Sequence, residues 1–169
     1  MPRKRRKKKT AADSAALTGG RDVTVATNRR AHYNYAILET FDAGLVLKGS
    51  EVKSLRHGSV SLREGYVALR GGEAYLMGVH IAAYKPAAIN NHEPVRPRKL
   101  LLHRSELFKL DRMLSVGGVA AVPLRLHFAG GRAKVEFGVG RGRTRYDKRA
   151  RIAERDAQRQ MQRHLHRPS

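Results

Sequence analysis

The chain has 169 residues, with 35 Lys and Arg against 14 Asp and Glu, giving a formal net charge of +21. At 41% hydrophobic residues it holds enough apolar material for one packed domain with tails, which excludes a chain disordered throughout. It has no cysteine, which excludes disulfides, Cys-based zinc sites and thiol nucleophiles, and its apolar runs are too short for a transmembrane helix. The balance predicts a soluble, cytosolic protein whose partner is a polyanion.

The charge divides into three equal shares. Residues 1–9 carry seven basic groups and no acid, or +7. Such a block cannot pack on itself, so residues 1–27 read as a disordered basic arm suited to nonspecific phosphate contact. Residues 141–169 carry ten basic and three acidic groups, again +7, and residues 10–140 supply the remaining +7. The segment 28–140 reads as the folded domain and 141–169 as a basic tail.

Within the domain, Tyr33, Tyr35 and Ile37 alternate with Asn34, Ala36 and Leu38, the period-two pattern of a strand. Asp42-Ala43-Gly44 predicts a turn into Leu45-Val46-Leu47. Ser50 predicts the N-cap of a short helix carrying Glu51, Val52 and Leu55. Tyr66–Arg70 and Glu73–Met77 flank Gly71-Gly72 as a hairpin, and the Pro- and Asn-rich stretch 85–97 reads as a long loop. Leu107, Phe108, Leu110 and Leu114 follow helical spacing up to Gly117-Gly118, and a last hairpin joins Val119–Phe128 to Arg132–Val139 across Gly130-Gly131. Six or so short strands with two short helices predict a mainly β fold, a small antiparallel barrel of the OB type.

The residues give little sign of catalysis. His164 and His166 are the one close histidine pair, no nucleophile elbow or phosphate loop is present, and no metal or cofactor is expected. Gly138-Val139-Gly140-Arg141-Gly142 reads as a flexible strand exit. In the tail, Arg151, Arg155, Arg159, Arg163 and Arg167 recur every four residues, and Ala153, Ala157, Met161 and Leu165 repeat at the same interval, offset by two. In a helix these become opposite cationic and apolar ridges, with Glu154 and Asp156 placed to pair with Arg151 and Arg159. A lone helix of that length is marginal in water, so the tail is expected to be unfolded alone and helical once phosphates neutralise it.

Several strings then stand out in order: Asn28-Arg29-Arg30-Ala31, Gly49-Ser50-Glu51-Val52-Lys53-Ser54-Leu55-Arg56, Arg98-Lys99-Leu100-Leu101-Leu102, Gly138 to Gly142, and Tyr146-Asp147-Lys148-Arg149. Together they resemble the small protein B family of SsrA (tmRNA)-binding proteins of bacteria, from about residue 28 to the C-terminus. The resemblance implies an OB-like barrel that binds the tRNA-like domain of tmRNA. It implies delivery of alanyl-tmRNA, with elongation factor Tu, to stalled ribosomes. The tail would enter the decoding centre and mRNA channel along small-subunit ribosomal RNA and stand in for an anticodon arm. No enzymatic activity and no membrane partner are implied. The alternative is a structural ribosomal protein or general RNA chaperone.

Carried onto this chain, the resemblance implies tmRNA contacts from Asn28, Arg29, Arg30, Tyr33, Tyr35, Asp42, Glu51, Lys53, Arg56, Arg98, Lys99, Leu101 and His103. In that set Glu51 is suited to a 2′-OH or to orienting cations, and Tyr35 to stacking. Ribosomal contacts are implied for Arg141, Gly142, Arg143, Tyr146, Asp147, Lys148, Arg149, Arg151, Ile152, Arg155, Arg159 and Arg163, with Tyr146 stacking on RNA and Gly142 letting the chain leave the barrel sharply. Three positions depart from the family pattern: Tyr33 stands where His is usual, Asp42 where Glu is, and His103 where Asn is frequent.

Overall fold

The structure is a computed structural model and describes residues 22–165. Six antiparallel strands close into a ring. In ring order they are β8 (Val119–Ala129), β4 (Tyr66–Arg70), β5 (Glu73–Met77), β7 (Arg98–Leu101), β2 (Tyr35–Leu45) and β9 (Arg132–Gly142), which pairs back onto β8. An added strand, β1 (Val23–Thr27), lies against β8, and β3 (Val60–Ser61) with β6 (His80–Ile81) forms a separate two-stranded ladder. Closure leaves no free edge within the ring.

The two hairpins form where the glycine pairs stand. Gly71 and Gly72 have φ of +57° and +74°, the mirror-turn geometry that twists with the flanking strands. Tyr66↔Met77 through Arg70↔Glu73 pair across that turn, as the sequence predicts. The inward residues are continuous along β8 and β9, and Phe41 stacks on Phe137 at 5.3 Å between ring centroids in the core. Helix α2 (Gly49–Arg56) buries Leu55, and α3 (Arg104–Leu114) buries Leu110, each against this core.

Several sequence expectations change. Residues 29–34 form helix α1 (Arg29–Asn34), so Tyr33 and Asn34 precede the strand. Asn28 caps that helix, accepting from the Ala31 amide at 3.2 Å, and this local bond defeats the alternating pattern. Asp42-Ala43-Gly44 is no turn: β2 runs on to Leu45 because its partner β9 continues beside it, with Asp42↔Glu136 and Gly44↔Lys134. Residues 23–27, expected in the arm, are strand β1; residues 1–21 lie outside the described residues. Ser50 sits inside α2, whose N-cap is Lys48, since the Glu51 carboxylate accepts from the Lys48 amide at 2.7 Å.

The glycine-rich string at the end of β9 is not a flexible exit. Gly138 and Gly140 are buried where β2 crowds β9: a side-chain carbon on Gly140 would run into the Ala36 carbonyl, and one on Gly138 would come within 2.9 Å of Ile37. Gly142 has open space around it and no positive φ, so the chain's exit does not depend on it. Helix α4 (Arg145–Leu165) follows directly. The expected pairing of Glu154 and Asp156 with Arg151 and Arg159 is absent among the described residues.

Candidate nucleic-acid interface

The candidate residues separate into four places. The first is α1. The Asn28 amide donates to the carbonyls of Leu62 and Pro123, both at 3.1 Å, and the side chain is buried. Asn28 thus offers nothing to RNA directly; it pins the start of α1 to the barrel, so that Arg29 and Arg30 project into solvent from a fixed base. Tyr33 and Tyr35 are half-buried.

The second place joins α1 to α4. Lys148 Nζ lies 5.6 Å from the centre of the Tyr33 ring, Arg151 donates to the His32 carbonyl at 3.2 Å, and Arg143 Nε donates to the Tyr35 carbonyl at 3.1 Å. Residues assigned to two different RNA surfaces therefore share one junction. Thr144 precedes α4, and the Asp147 carboxylate accepts from its amide (3.1 Å) and hydroxyl (2.7 Å), while the Asp147 amide donates back to the hydroxyl at 3.3 Å. The Thr144 hydrogen bonds hold the Asp147 carboxyl below its usual range. Asp147 is a helix cap in this structure. Away from these junction contacts the helix faces solvent: Tyr146 is 81% exposed, and Arg149, Ile152, Arg155, Arg159 and Arg163 are exposed.

The third place is α2 with the loop 85–97. Lys53 Nζ sits 5.4 Å from the centre of the Tyr84 ring, and the Arg56 guanidinium 6.0 Å from that of Phe128, both side chains exposed. Glu51 and Arg98, by contrast, are fully buried, which corrects their reading as RNA contacts. Arg98 donates to Glu51 (2.8 Å), to the Val79 carbonyl (2.6 Å) and to the Pro94 carbonyl (2.9 Å), so its guanidinium is already spoken for. Arg96 binds the same carboxylate with Nε at 3.0 Å. Burial by itself raises the Glu51 carboxyl, but hydrogen bonds from Arg96, the Lys48 amide and Arg98 outweigh it and hold the group below its ordinary value. Burial pulls Arg98 down against the pull of Glu51, and a guanidinium so placed stays charged. His92 completes the tie: Nε2 donates to the Ile81 carbonyl at 2.9 Å and Nδ1 shares a hydrogen bond with the Ser50 hydroxyl at 2.9 Å. Arg96 and His92 were not among the sequence candidates, and their partners lie some forty residues away in the chain.

The fourth place is the outer face of the sheet and the α3 entry. Asp42 binds Lys134 at 2.9 Å and lies 3.6 Å from His127 Nε2, beside the Arg125–Glu136 pair. Lys99 is held by Glu73 at 2.5 Å, which raises the ammonium above its usual value. The two side chains are 41% and 43% exposed, so the pair contributes little to stability. Leu101 is 55% exposed, and His103 caps α3, its amide donating to Glu106. Among the described residues no three His, Asp or Glu come together as a metal site, and no helix is long and apolar enough to cross a membrane.

A closed antiparallel barrel carrying exposed, unpaired arginines on one short helix and along a second long one defines a class of basic barrel proteins with two separate cationic surfaces. The sequence matches the family described as SmpB protein over residues 25–167, and the chain belongs to that family. It is 51% identical to the SsrA-binding protein of Thermobifida fusca (strain YX) over 144 residues, 85% of this chain and 90% of the relative. It is 52% identical to the SsrA-binding protein of Roseiflexus sp. (strain RS-1) over 152 residues, 88% of this chain and 96% of the relative. A solved structure described as "tmRNA-SmpB: a journey to the center of the bacterial ribosome" superposes with a TM-score of 0.62 at 42% identity, covering 75% of this chain and 93% of that one.

Proposed function

We propose that this chain is the SsrA-binding protein of trans-translation, a non-enzymatic adaptor. Its barrel binds the tRNA-like domain of tmRNA. Its tail helix occupies the decoding centre and mRNA channel of a stalled ribosome, so that alanyl-tmRNA, delivered with elongation factor Tu in the cytoplasm, is accepted without a codon and the nascent peptide is tagged. The observation that carries this reading is that the matched relatives span barrel and tail as one unit, covering about nine-tenths of their own length. The separation of cations agrees with it: Arg29 and Arg30 stand on the barrel, whereas Arg149, Arg155, Arg159 and Arg163 stand on a helix that leaves it. A structural ribosomal protein or general RNA chaperone has no use for two such surfaces joined by a fixed junction.

The test is competition binding at fixed, near-physiological salt, with the tRNA-like domain of tmRNA against bulk tRNA. Clear preference for the tmRNA fragment is expected; equal affinity would leave only a nonspecific polyanion binder.

A further inference from the structure

An open cleft of about 600 Å³ lies between α1, the turn that joins β3 to β4, and β8. Arg30, Tyr35, Arg63 and Tyr66 are among its lining residues. From these groups we infer that the cleft is an RNA subsite that takes one unpaired nucleotide, its phosphate between Arg30 and Arg63 and its base on the Tyr66 ring. The inference rests on the RNA-binding reading of the protein and adds to it two residues, Arg63 and Tyr66, that the family strings do not contain.

Three observations support it. The two arginines and Tyr66 are exposed, and none makes a hydrogen bond, ion pair or ring contact to another described residue. Glu64 supplies the one carboxylate of the lining and is bonded to neither arginine, so the cationic excess is uncompensated. The frame is also rigid. The Leu62 carbonyl accepts from both the Asn28 side chain and the Gly65 amide, tying the turn to α1. Gly65 is packed so closely that a side-chain carbon there would lie 2.6 Å from Val79 and 2.7 Å from Pro123. The backbone that carries Arg63 is therefore tied to the start of the helix that carries Arg30. An aromatic ring beside two free guanidinium groups is the equipment for an unstacked nucleotide, because every base offers a π-face and every linkage a phosphate. The volume falls within the range of about 300–1,000 Å³ usual for small-ligand sites.

The test uses the full chain in four variants: Arg63→Ala, Tyr66→Ala, Tyr66→Phe, and Arg132→Ala at the far hairpin as a control for losing one surface charge. Each is titrated with the tRNA-like domain of tmRNA across a salt series, and each is assayed for peptide tagging on stalled ribosomes. Arg63→Ala is expected to flatten the salt slope by about 0.7–0.9. Tyr66→Ala is expected to weaken binding about tenfold, and Tyr66→Phe to restore it, since stacking needs only the ring. Loss on the tmRNA fragment assigns the nucleotide to tmRNA, and loss confined to the ribosome assay assigns it to ribosomal RNA. If Arg63→Ala and both Tyr66 variants match Arg132→Ala in both assays, the subsite does not exist. If wild type itself fails to prefer the tmRNA fragment over bulk tRNA, the functional reading has failed instead. Tyr66→Phe keeps the ring and its packing on β4, so a Tyr66→Ala defect that phenylalanine also shows would come from the missing hydroxyl and would overturn the stacking role.

Discussion

At the scale of single residues, the main result is that three of the motif positions, Asn28, Glu51 and Arg98, act from inside the protein. Glu51 and Arg98 are buried as a charged pair with each guanidinium nitrogen bonded to protein. Such a pair adds little net stability over an apolar filling, but breaking it is severe, because the survivor keeps its charge in the interior. Glu51→Gln is therefore expected to cost about 3–5 kcal/mol, read from the midpoint of denaturant unfolding. The pH dependence has a definite sign. The Glu51 carboxyl is held below its ordinary value of 4.5. Its contribution is fully present above that value and is lost as pH falls through the lower value of the folded state. Unfolding curves between neutral and acid pH should show this loss in the wild type and a shallower acid limb in Glu51→Gln. Gly140→Ala belongs to the same scale: the new carbon meets the Ala36 carbonyl, part of a backbone that cannot step aside. Overpacking of about 1–3 kcal/mol is expected, visible as a lower melting temperature.

At the scale of elements, the hairpin of β4 and β5 was legible in the sequence because Gly71-Gly72 fixes the turn from within two residues. The end of β2 was not. Asp42-Ala43-Gly44 has turn composition, and only the presence of β9 alongside makes it strand. Helix α1 was hidden for a related reason, since Tyr33, Tyr35 and Ile37 alternate whether or not the first of them is helical. The role of Asn28 depends on carbonyls 34 and 95 residues distant, which no local pattern announces. The start of α4 is a local matter that spacing could have found: Thr144 and Asp147 stand three apart, the arrangement of a capping box. In the full chain at neutral pH, Asp147→Ala is expected to lower the helical circular dichroism that α4 contributes. In the wild type the cap itself is lost only in acid, because the Asp147 carboxyl, held low chiefly by the Thr144 hydroxyl, keeps its charge until pH falls below the ordinary value of 3.8. Equal helicity in the two chains at neutral pH would remove the cap from the account.

At the scale of the whole molecule, the charge of +21 has to be divided between surfaces that do not meet except at the α1–α4 junction. The junction uses Arg143, Lys148 and Arg151, whereas Arg149, Arg155, Arg159 and Arg163 point away from the barrel. If the barrel alone holds tmRNA, removing the tail must leave that interaction unchanged. The cut has to fall after Arg143, because β9 reaches Gly142 and the Arg143 amide donates to the Asn34 carbonyl at 2.7 Å. A cut after Gly140 would strip two residues from a ring strand. The truncated chain is expected to bind the tRNA-like domain with a slope of log K against log salt within about one of the full-length value. On decoding-region RNA the same truncation removes five exposed arginines of the described residues, Arg145, Arg149, Arg155, Arg159 and Arg163, and the slope should flatten by about 4, at roughly −0.7 to −0.9 per phosphate released. Equal flattening on both RNAs would mean that the tail grips tmRNA as well, and that the two cationic surfaces work as one.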